Sequence, residues 1–195
     1  MNKSKNIFKI NHLIEKKTRS ELKNQKAICI WLTGISASGK STLAINLEKY
    51  LTNQKKHCYV LDGDNLRQGI NNDLTFEIKD RKQVTRRIGE ISKLMVDAGL
   101  IVIVSCISPF NKEREELKLK FEKNEFFEIH LNTSLEECIK RDPKKLYQQA
   151  KNNSSINNIG LGGLYEEPKN PFLRIDTSKI SVKDSVSMLV EKIFE

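Results

Sequence analysis

The chain has 195 residues and a formal net charge of +9, with 38% hydrophobic and 30% charged residues. This size and composition are typical of a globular protein with one domain and a sizeable core. No apolar run approaches the roughly 20 residues that span a membrane, so we expect no membrane partner. The segment 1–26 is rich in lysine and asparagine and lacks the apolar stretch of a secretory signal. We interpret it as a basic leader, followed by one domain over residues 27–195.

The positive charge and the cysteines restrict the partners and the compartment. The lysines are scattered and no signature of RNA or DNA binding accompanies them, so we expect no nucleic-acid partner. The spacing of the four cysteines includes no C-x-x-C pair, which speaks against a zinc or redox site. They are Cys29, Cys58, Cys106 and Cys138. We expect packed, reduced thiols in a cytoplasmic protein.

Short apolar runs alternate with helical patterns along the chain. The apolar runs predict strands buried on both faces at 27–32, 58–61, 100–106, 126–131 and 172–175. Helical patterns cover about 40–53, 80–98, 111–123, 134–141 and 181–194. This alternation predicts an α/β fold with a five-stranded parallel sheet and helices on both faces. The long stretch 142–171 is rich in proline, glycine and asparagine and predicts an irregular lid.

The first strand leads into a glycine-rich loop that fits G-x-x-x-x-G-K-[ST]. The loop is formed by Gly34, Ile35, Ser36, Ala37, Ser38, Gly39, Lys40, Ser41 and Thr42. Glycines let the backbone curl so that its N–H groups point at phosphate oxygens, and the following helix adds its positive end. We expect Lys40 to reach the β and γ phosphates of ATP and the Ser41 hydroxyl to ligate Mg²⁺. The sequence therefore predicts a P-loop fold that binds ATP and magnesium.

Two carboxylates follow the second strand, in the run 61–67. Asp62 and Asp64 would lie at the carboxyl edge of the sheet, where ligands bind in this type of fold. One carboxylate can hold Mg²⁺ and one can accept a proton from an attacking hydroxyl, and the sequence does not assign the two roles. The third strand ends without an aspartate, so this pair is the better magnesium site. Ser108, before Pro109, is predicted either to cap a helix or to contact substrate.

Arginines supply fixed positive charge in two other segments. Arg81 stands near the start of the helix at 80–98, where a guanidinium can grip phosphate or sulfate. Arg141 opens the lid region, and it could stack on the ATP adenine or touch the phosphates. Both arginines are candidate ligands of a polyanionic nucleotide.

Together the motifs resemble the adenylyl-sulfate kinase (APS kinase) family over nearly the whole chain. Besides the P-loop, the resemblance rests on 61–67 with Gly69 and Asn71, 80–82, 86–90, 97–102, 107–110, 141–144, 146–147, 165–166 and 176–178. It implies transfer of the γ-phosphoryl group of ATP to the 3′-hydroxyl of adenosine 5′-phosphosulfate (APS), by a cytoplasmic homodimer. The implied catalytic residues are Lys40, Asp62, Asp64 and Ser108, with Ser41 and Asp62 as metal ligands. The implied substrate contacts are Asp64, Asn65, Leu66, Arg67, Phe76, Arg81, Ile107, Ser108 and Lys144. Some members of the family are annotated with a phosphoserine at the position of Ser108, but direct in-line transfer is expected here because no base stands beside it in sequence.

The chain departs from the family pattern mainly on the acceptor side and in the lid. Val84 replaces an asparagine that contacts substrate, and Asn158 replaces an aromatic residue that stacks on the adenine. In the P-loop, Ala37 replaces a small loop glycine of the family. These changes leave open a kinase of the same fold that acts on another acceptor, such as a cytidine diphosphate derivative. A nucleotide-binding regulator without catalysis is a third interpretation, against which the intact Lys40 and Asp62 argue.

Overall fold

The computed structural model describes residue 8, residue 10, residues 12–152 and residues 164–194. Its strands are β1 (Ile28–Thr33), β2 (Cys58–Asp62), β3 (Ile101–Ser105), β4 (Phe126–Leu131) and β5 (Leu173–Ile175). Its helices are α1 (Lys16–Leu22), α2 (Lys40–Asn53), α3 (Gly63–Arg67), α4 (Ile78–Asp97), α5 (Asn111–Lys118), α6 (Leu135–Arg141), α7 (Leu146–Asn152) and α8 (Val182–Phe194). The chain thus alternates strands and helices, as its sequence predicts.

The five strands form one parallel sheet in the order β2-β3-β1-β4-β5. β1 lies at the centre, where Ile30 pairs with Ile103 of β3 and with Phe127 of β4. All six residues of β1 are buried, so the strand is covered on both faces. The predicted α/β class, the five strands and the parallel sheet are confirmed.

Each face of the sheet carries its own core. On one face Ile28, Ile30 and Leu32 pack with residues of α2 and α8. On the other face Cys29 and Trp31 pack with residues of α4 and α5. This division follows from the period of two along β1, which sends successive side chains to opposite faces. The two cores fix the carboxyl end of β1, from which the P-loop emerges.

Three short helices and the two edge strands differ from the prediction. The helices α1, α3 and α7 were not predicted, and α7 lies inside the stretch 142–171 that was predicted to be irregular. α5 ends at Lys118, five residues before its predicted end. β2 and β5 are not buried on both faces, because they are the edge strands: Tyr59 of β2 is 55% exposed and Arg174 of β5 is also exposed. The lid residues 153–163, with Asn158, lie outside the described residues.

The described part of the leader packs against the base of the sheet. Arg19 donates from Nη1 to Asp97 Oδ2 at 2.5 Å, which ties α1 to the end of α4. The Gln25 amide donates to the carbonyl groups of His57 and Gly99 at 2.9 and 2.8 Å. Within the described residues, no helix combines the length and the apolar character needed to cross a membrane.

Candidate active site

The P-loop joins β1 to α2 and depends on two glycines. Gly39 has a φ of +95° and caps the N-terminus of α2, a left-handed conformation that glycine adopts without strain. At Gly34 a side chain does not fit, because a Cβ atom would lie 2.8 Å from the carbonyl oxygen of Leu131. The alanine in the loop, Ala37, also has a positive φ, +62°. The residue that replaces the family glycine therefore sits in a conformation that favours glycine.

Lys40 is buried within the loop that precedes it. Its ammonium group donates to the carbonyl oxygen of Ile35 at 2.7 Å and to Ser38 Oγ at 3.3 Å. Burial lowers the pKa of Lys40 to about 8, although nearby Asp62 and Asp64 favour the charged form. The ammonium group of Lys40 thus lies against the curled backbone. A nucleotide phosphate bound there would replace its contacts with Ile35 and Ser38.

Asp62 ends β2 beside the start of α2. Ser41 donates from Oγ to Asp62 Oδ2 at 2.7 Å, and the hydroxyl of Ser105, at the end of β3, lies 3.2 Å from Ser41 Oγ. Burial raises the pKa of Asp62, but hydrogen bonds from Ser41 and from the backbone N–H of Asp64 outweigh it and hold the pKa below its usual value. Asp62 is therefore an ionised carboxylate next to two hydroxyl oxygens.

This cluster fits magnesium in its donor chemistry. Mg²⁺ prefers oxygen ligands and usually takes one or two carboxylates, with water and substrate phosphates completing its shell. Ser41 and Asp62 supply one hydroxyl and one carboxylate next to the phosphate loop. In the described ranges, no group of three or more His, Cys, Asp or Glu side chains forms a self-sufficient metal cage. Water or phosphate oxygens would complete the shell of a metal bound here.

Asp64 occupies a different position from Asp62. It lies in the first turn of α3, its backbone N–H donates to Asp62 Oδ1 at 3.0 Å, and its side chain is 65% exposed. Lys144, from the segment between α6 and α7, forms an ion pair with it. The two carboxylates that the sequence left equivalent are thus distinguished, because Asp62 is held by Ser41 whereas Asp64 faces the cavity and a lysine.

An aromatic ring with two arginines close to it forms another side of the site. The guanidinium carbon of Arg67 lies 4.1 Å from the centroid of the Phe76 ring, and that of Arg81 lies 5.4 Å from it. Arg81 also donates from Nε to the carbonyl oxygen of Phe76 at 2.7 Å. Burial and the charge of Arg67 lower the pKa of Arg81 to about 10. Phe76 is 60% exposed, so this platform presents an aromatic side chain and two positive charges to the cavity.

Ser108 follows β3 in a turn with an unusual backbone. Its φ is +39°, and its side chain is buried. Ser108 Oγ accepts from Trp31 Nε1 at 2.9 Å and donates to Thr33 Oγ1 at 3.0 Å. The N-cap residue of α5 is Phe110, so the prediction that Ser108 caps this helix is wrong. Its hydroxyl is instead engaged in the floor of the site.

Arg141 and its neighbours close the site on the side of α6. Arg141 donates to Thr177 through Nη1 at 2.7 Å and Nη2 at 3.0 Å. Thr177 Oγ1 in turn donates to the carbonyl oxygen of Ser38 at 3.0 Å, and Tyr147 donates to that of Ser36 at 2.9 Å. Thr177 and Tyr147 thus support the P-loop. Residue spacing did not predict these two contacts, although both residues lie in segments that carry the family resemblance.

One cavity of about 580 Å³ joins these parts. The predicted site residues that line it are Ser36, Ala37, Gly39, Lys40, Ser41, Thr42, Asp62, Asp64, Arg67, Phe76, Arg81, Ile107, Ser108, Arg141 and Lys144.

The other predicted site residues lie behind or beside this cavity. Leu66 packs against the core, Asn65 is exposed, and Ile35 borders a smaller cavity of about 220 Å³. Gly34 and Ser38 are not among the lining residues of the larger cavity. Val84, the replaced asparagine position, does line it.

Several known proteins are similar to this chain in sequence and in fold. A protein of Oceanobacillus iheyensis named adenylyl-sulfate kinase is 45% identical over 190 residues, covering 97% of this chain and 96% of that protein. A protein of the same name from Staphylococcus haemolyticus is 44% identical over 191 residues, covering 98% and 96%. The structure of the Mycobacterium tuberculosis APS kinase in complex with AMPPNP and APS is similar with a TM-score of 0.82 and 34% identity, covering 87% of this chain and 99% of that chain. The family model for adenylylsulphate kinase matches residues 26–176, and the chain belongs to this family.

Proposed function

We propose that this protein is an adenylyl-sulfate kinase, which transfers the γ-phosphoryl group of ATP to the 3′-hydroxyl of adenosine 5′-phosphosulfate. The product is 3′-phosphoadenosine 5′-phosphosulfate. The observation that carries the proposal is the single cavity that joins a P-loop to an arginine and aromatic platform. The P-loop suits a nucleoside triphosphate, and the platform suits a second nucleotide with a strongly anionic end. Membership of the family supports the same conclusion.

On the donor side, we assign ATP to the P-loop. The backbone N–H groups of residues 34–42 and the start of α2 would bind the phosphates, and Lys40 would leave the carbonyl oxygen of Ile35 to contact them. Arg141, fixed by Thr177 beside the loop, would contact the adenine or the phosphates. Ser41 and Asp62 would hold magnesium, which neutralises charge on the β and γ phosphates when it is bound.

On the acceptor side, we assign APS to the platform. Phe76 would stack on its adenine, while Arg67, Arg81 and Lys144 would neutralise the phosphosulfate. Ile107 and Ser108 line the same cavity, whereas Asn65 and Leu66 are assigned to the acceptor on the family resemblance alone. The adenine ring is flat and the phosphosulfate is doubly anionic, so an aromatic face flanked by cations matches both ends.

The transfer itself is proposed to be direct. The 3′-hydroxyl oxygen forms a bond to the γ-phosphorus, the bond from that phosphorus to the bridging β–γ oxygen breaks, and ADP leaves. Asp64 accepts the hydroxyl proton, because Asp62 is already engaged by Ser41. A phosphoserine at Ser108 is disfavoured, since its hydroxyl proton goes to Thr33 and not to a base.

The test is ADP release from ATP by the purified protein with different acceptors. Saturable stimulation by APS, with formation of the 3′-phosphorylated product, is the expected result. Turnover with a cytidine diphosphate derivative but not with APS would show instead that Val84, in the cavity wall, marks a changed acceptor. No acceptor-dependent release with any nucleotide would contradict a kinase function and favour a regulator.

We further propose a homodimer in the cytoplasm. The homodimer rests on the family resemblance alone, and light scattering of the purified protein tests it. The location is supported by the four cysteines, all of which are free thiols and three of which are buried. Unpaired buried thiols are usual in reducing compartments. Fractionation of the source cells tests the location.

A further inference from the structure

Arg114 is a buried charge that the proposed reaction does not use. It lies in α5 and is only 2% exposed, so its guanidinium is among the most deeply buried charged groups of the described chain. Burying a charge costs free energy unless it is paired and hydrogen-bonded. The contacts of Arg114 therefore need an explanation, and they point in three directions.

The first contact direction is the sheet. Arg114 donates from Nε to Glu128 Oε1 of β4 at 2.7 Å. This ion pair compensates the buried charge and fixes one edge of the guanidinium. It leaves both terminal nitrogen atoms free to donate elsewhere.

The second direction is the turn that lines the acceptor part of the cavity. Arg114 Nη1 donates to the carbonyl oxygen of Ser108. Ser108 has a φ of +39°, a region that costs a residue other than glycine free energy. The turn stays in this conformation only if its surroundings hold it, and Arg114 holds its backbone while Trp31 and Thr33 hold its side chain.

The third direction is the last part of the predicted lid stretch, around Glu166. Arg114 Nη2 donates to the carbonyl oxygen of Glu166 at 2.7 Å and to Asn111 Oδ1. The backbone N–H of Glu166 donates to the carbonyl oxygen of Pro109 at 2.8 Å, so the segment is also bonded directly to the turn. One planar group thus joins three segments that are distant in sequence.

We propose that Arg114 is a positioning residue for the acceptor: its planar fork holds the turn 107–109 and the segment 165–167 in register on the sheet. The proposal rests on the proposed function, because it assigns the turn to the acceptor pocket. Arg114 touches no reacting atom and acts through the backbone of Ser108. A lysine in its place can keep the charge next to Glu128 but cannot donate in the same plane to both carbonyl groups.

Steady-state kinetics of two variants separate positioning from charge compensation. Arg114→Lys should raise the KM for APS about tenfold, because small misplacements of a binding group are costly, while the KM for ATP stays unchanged. Glu128→Gln is the matched control: it removes the ion pair but leaves the contacts of Arg114 with the turn, and it should keep the KM for APS. Equal effects of the two variants, or an unchanged KM in Arg114→Lys, would overturn the proposal.

Where Arg114→Lys does not fold, the double variant Arg114→Met/Glu128→Met serves in its place, because removing both buried charges together is often tolerated. It should fold and show the same rise in the KM for APS. A double variant with the wild-type KM would contradict positioning by Arg114.

Fluorescence gives a measurement that does not depend on turnover. Trp31 is the single tryptophan of the chain, and its indole N–H donates to Ser108 Oγ. The emission of Trp31 should shift in Arg114→Lys and stay unchanged in Glu128→Gln, with circular dichroism confirming that both are folded. If the wild type does not phosphorylate APS, the proposed function fails while this shift still tests Arg114. A wild-type emission spectrum in folded Arg114→Lys would overturn its hold on the turn.

Discussion

The donor part of the cavity is built largely from one stretch of chain, whereas the acceptor part is assembled from side chains of separate segments. We use donor half for residues 34–42 with Arg141, and acceptor half for Asp64, Arg67, Phe76, Arg81, Val84, Lys144 and the turn 107–109. In the donor half, we expect the backbone N–H groups of nine consecutive residues to do most of the binding. In the acceptor half, recognition depends on side-chain identity at positions far apart in sequence.

This difference explains where the chain departs from the family pattern. A backbone cradle tolerates few changes, because each glycine has a geometric reason, and only Ala37 departs from the expected pattern there. The exposed side chains of the acceptor half, such as Phe76 and Lys144, should be exchangeable without disturbing the fold. Val84 lines the cavity at the position where the family has an asparagine that contacts substrate. Changes of specificity are therefore expected in the acceptor half, and losses of all activity in the donor half.

The largest effect is expected from the donor half. Lys40→Ala should lower kcat by about 10³-fold or more, because the variant loses the buried cation that would stabilise charge on the transferring phosphoryl group. Initial rates of ADP release with saturating APS measure it. Lys49→Ala, an exposed lysine of the same helix, is the matched control and should leave kcat unchanged. A Lys40→Ala enzyme with near-normal turnover would refute the donor assignment.

A smaller effect should follow loss of the proposed base in the acceptor half. Asp64→Asn should lower kcat by about 10²-fold, since an amide cannot accept the hydroxyl proton. Lys144→Met breaks the same ion pair but keeps the carboxylate, so it should raise the KM for APS with little change in kcat. Comparing the two variants separates proton transfer from binding. An Asp64→Asn enzyme that keeps its kcat would show that Asp64 is not the base.

How much of each half could be predicted from the sequence follows from the same contrast. The P-loop and the central strands were predictable because contiguous apolar residues and glycines carry the signal. The roles of Asp62 and Asp64 were not, because they depend on the distance from Ser41, a contact between residues 21 positions apart. Trp31, Thr33 and Arg114 were missed as supports of Ser108 for the same reason. Short elements such as α3 and α7 hold too few residues for a clear helical period.

Ser108 lies where the acceptor half meets the core, and its removal should have a moderate effect. Ser108→Ala should keep kcat within about tenfold of the wild type, because direct transfer needs no serine nucleophile. The variant should lose about 1–2 kcal/mol of unfolding free energy, since Trp31 and Thr33 lose a buried partner. Kinetics and urea denaturation measure the two effects. Complete loss of turnover with normal APS binding would favour a covalent or directly catalytic role for Ser108.

The pKa of Lys40 predicts an uptake of protons when the donor half is filled. At pH 8 about half of the Lys40 side chains are neutral, because burial lowers the pKa to about 8. Phosphate charges favour the ammonium form and raise this pKa, so binding of a non-hydrolysable ATP analogue should take up about half a proton at pH 8. At pH 6 the lysine is already charged, and it should contribute no uptake. Calorimetry in buffers of different ionisation enthalpy measures this, and Lys40→Met gives the background. Equal uptake in both proteins would show that Lys40 is fully charged before ATP binds.

The smallest effect tests whether the donor half depends on backbone conformation. Ala37 has a φ of +62°, which costs an alanine about 1 kcal/mol. Ala37→Gly removes this strain but gives the unfolded chain more freedom, so the protein should gain less than about 1 kcal/mol in unfolding free energy. Ala44→Gly, at a helical and buried position of α2, should instead lose about 1 kcal/mol or more. Because the backbone N–H groups stay in place, the affinity of Ala37→Gly for ATP should not change. A destabilised Ala37→Gly would show that the methyl group contributes packing that outweighs the strain, and the donor half would then depend on side chains as well as on backbone.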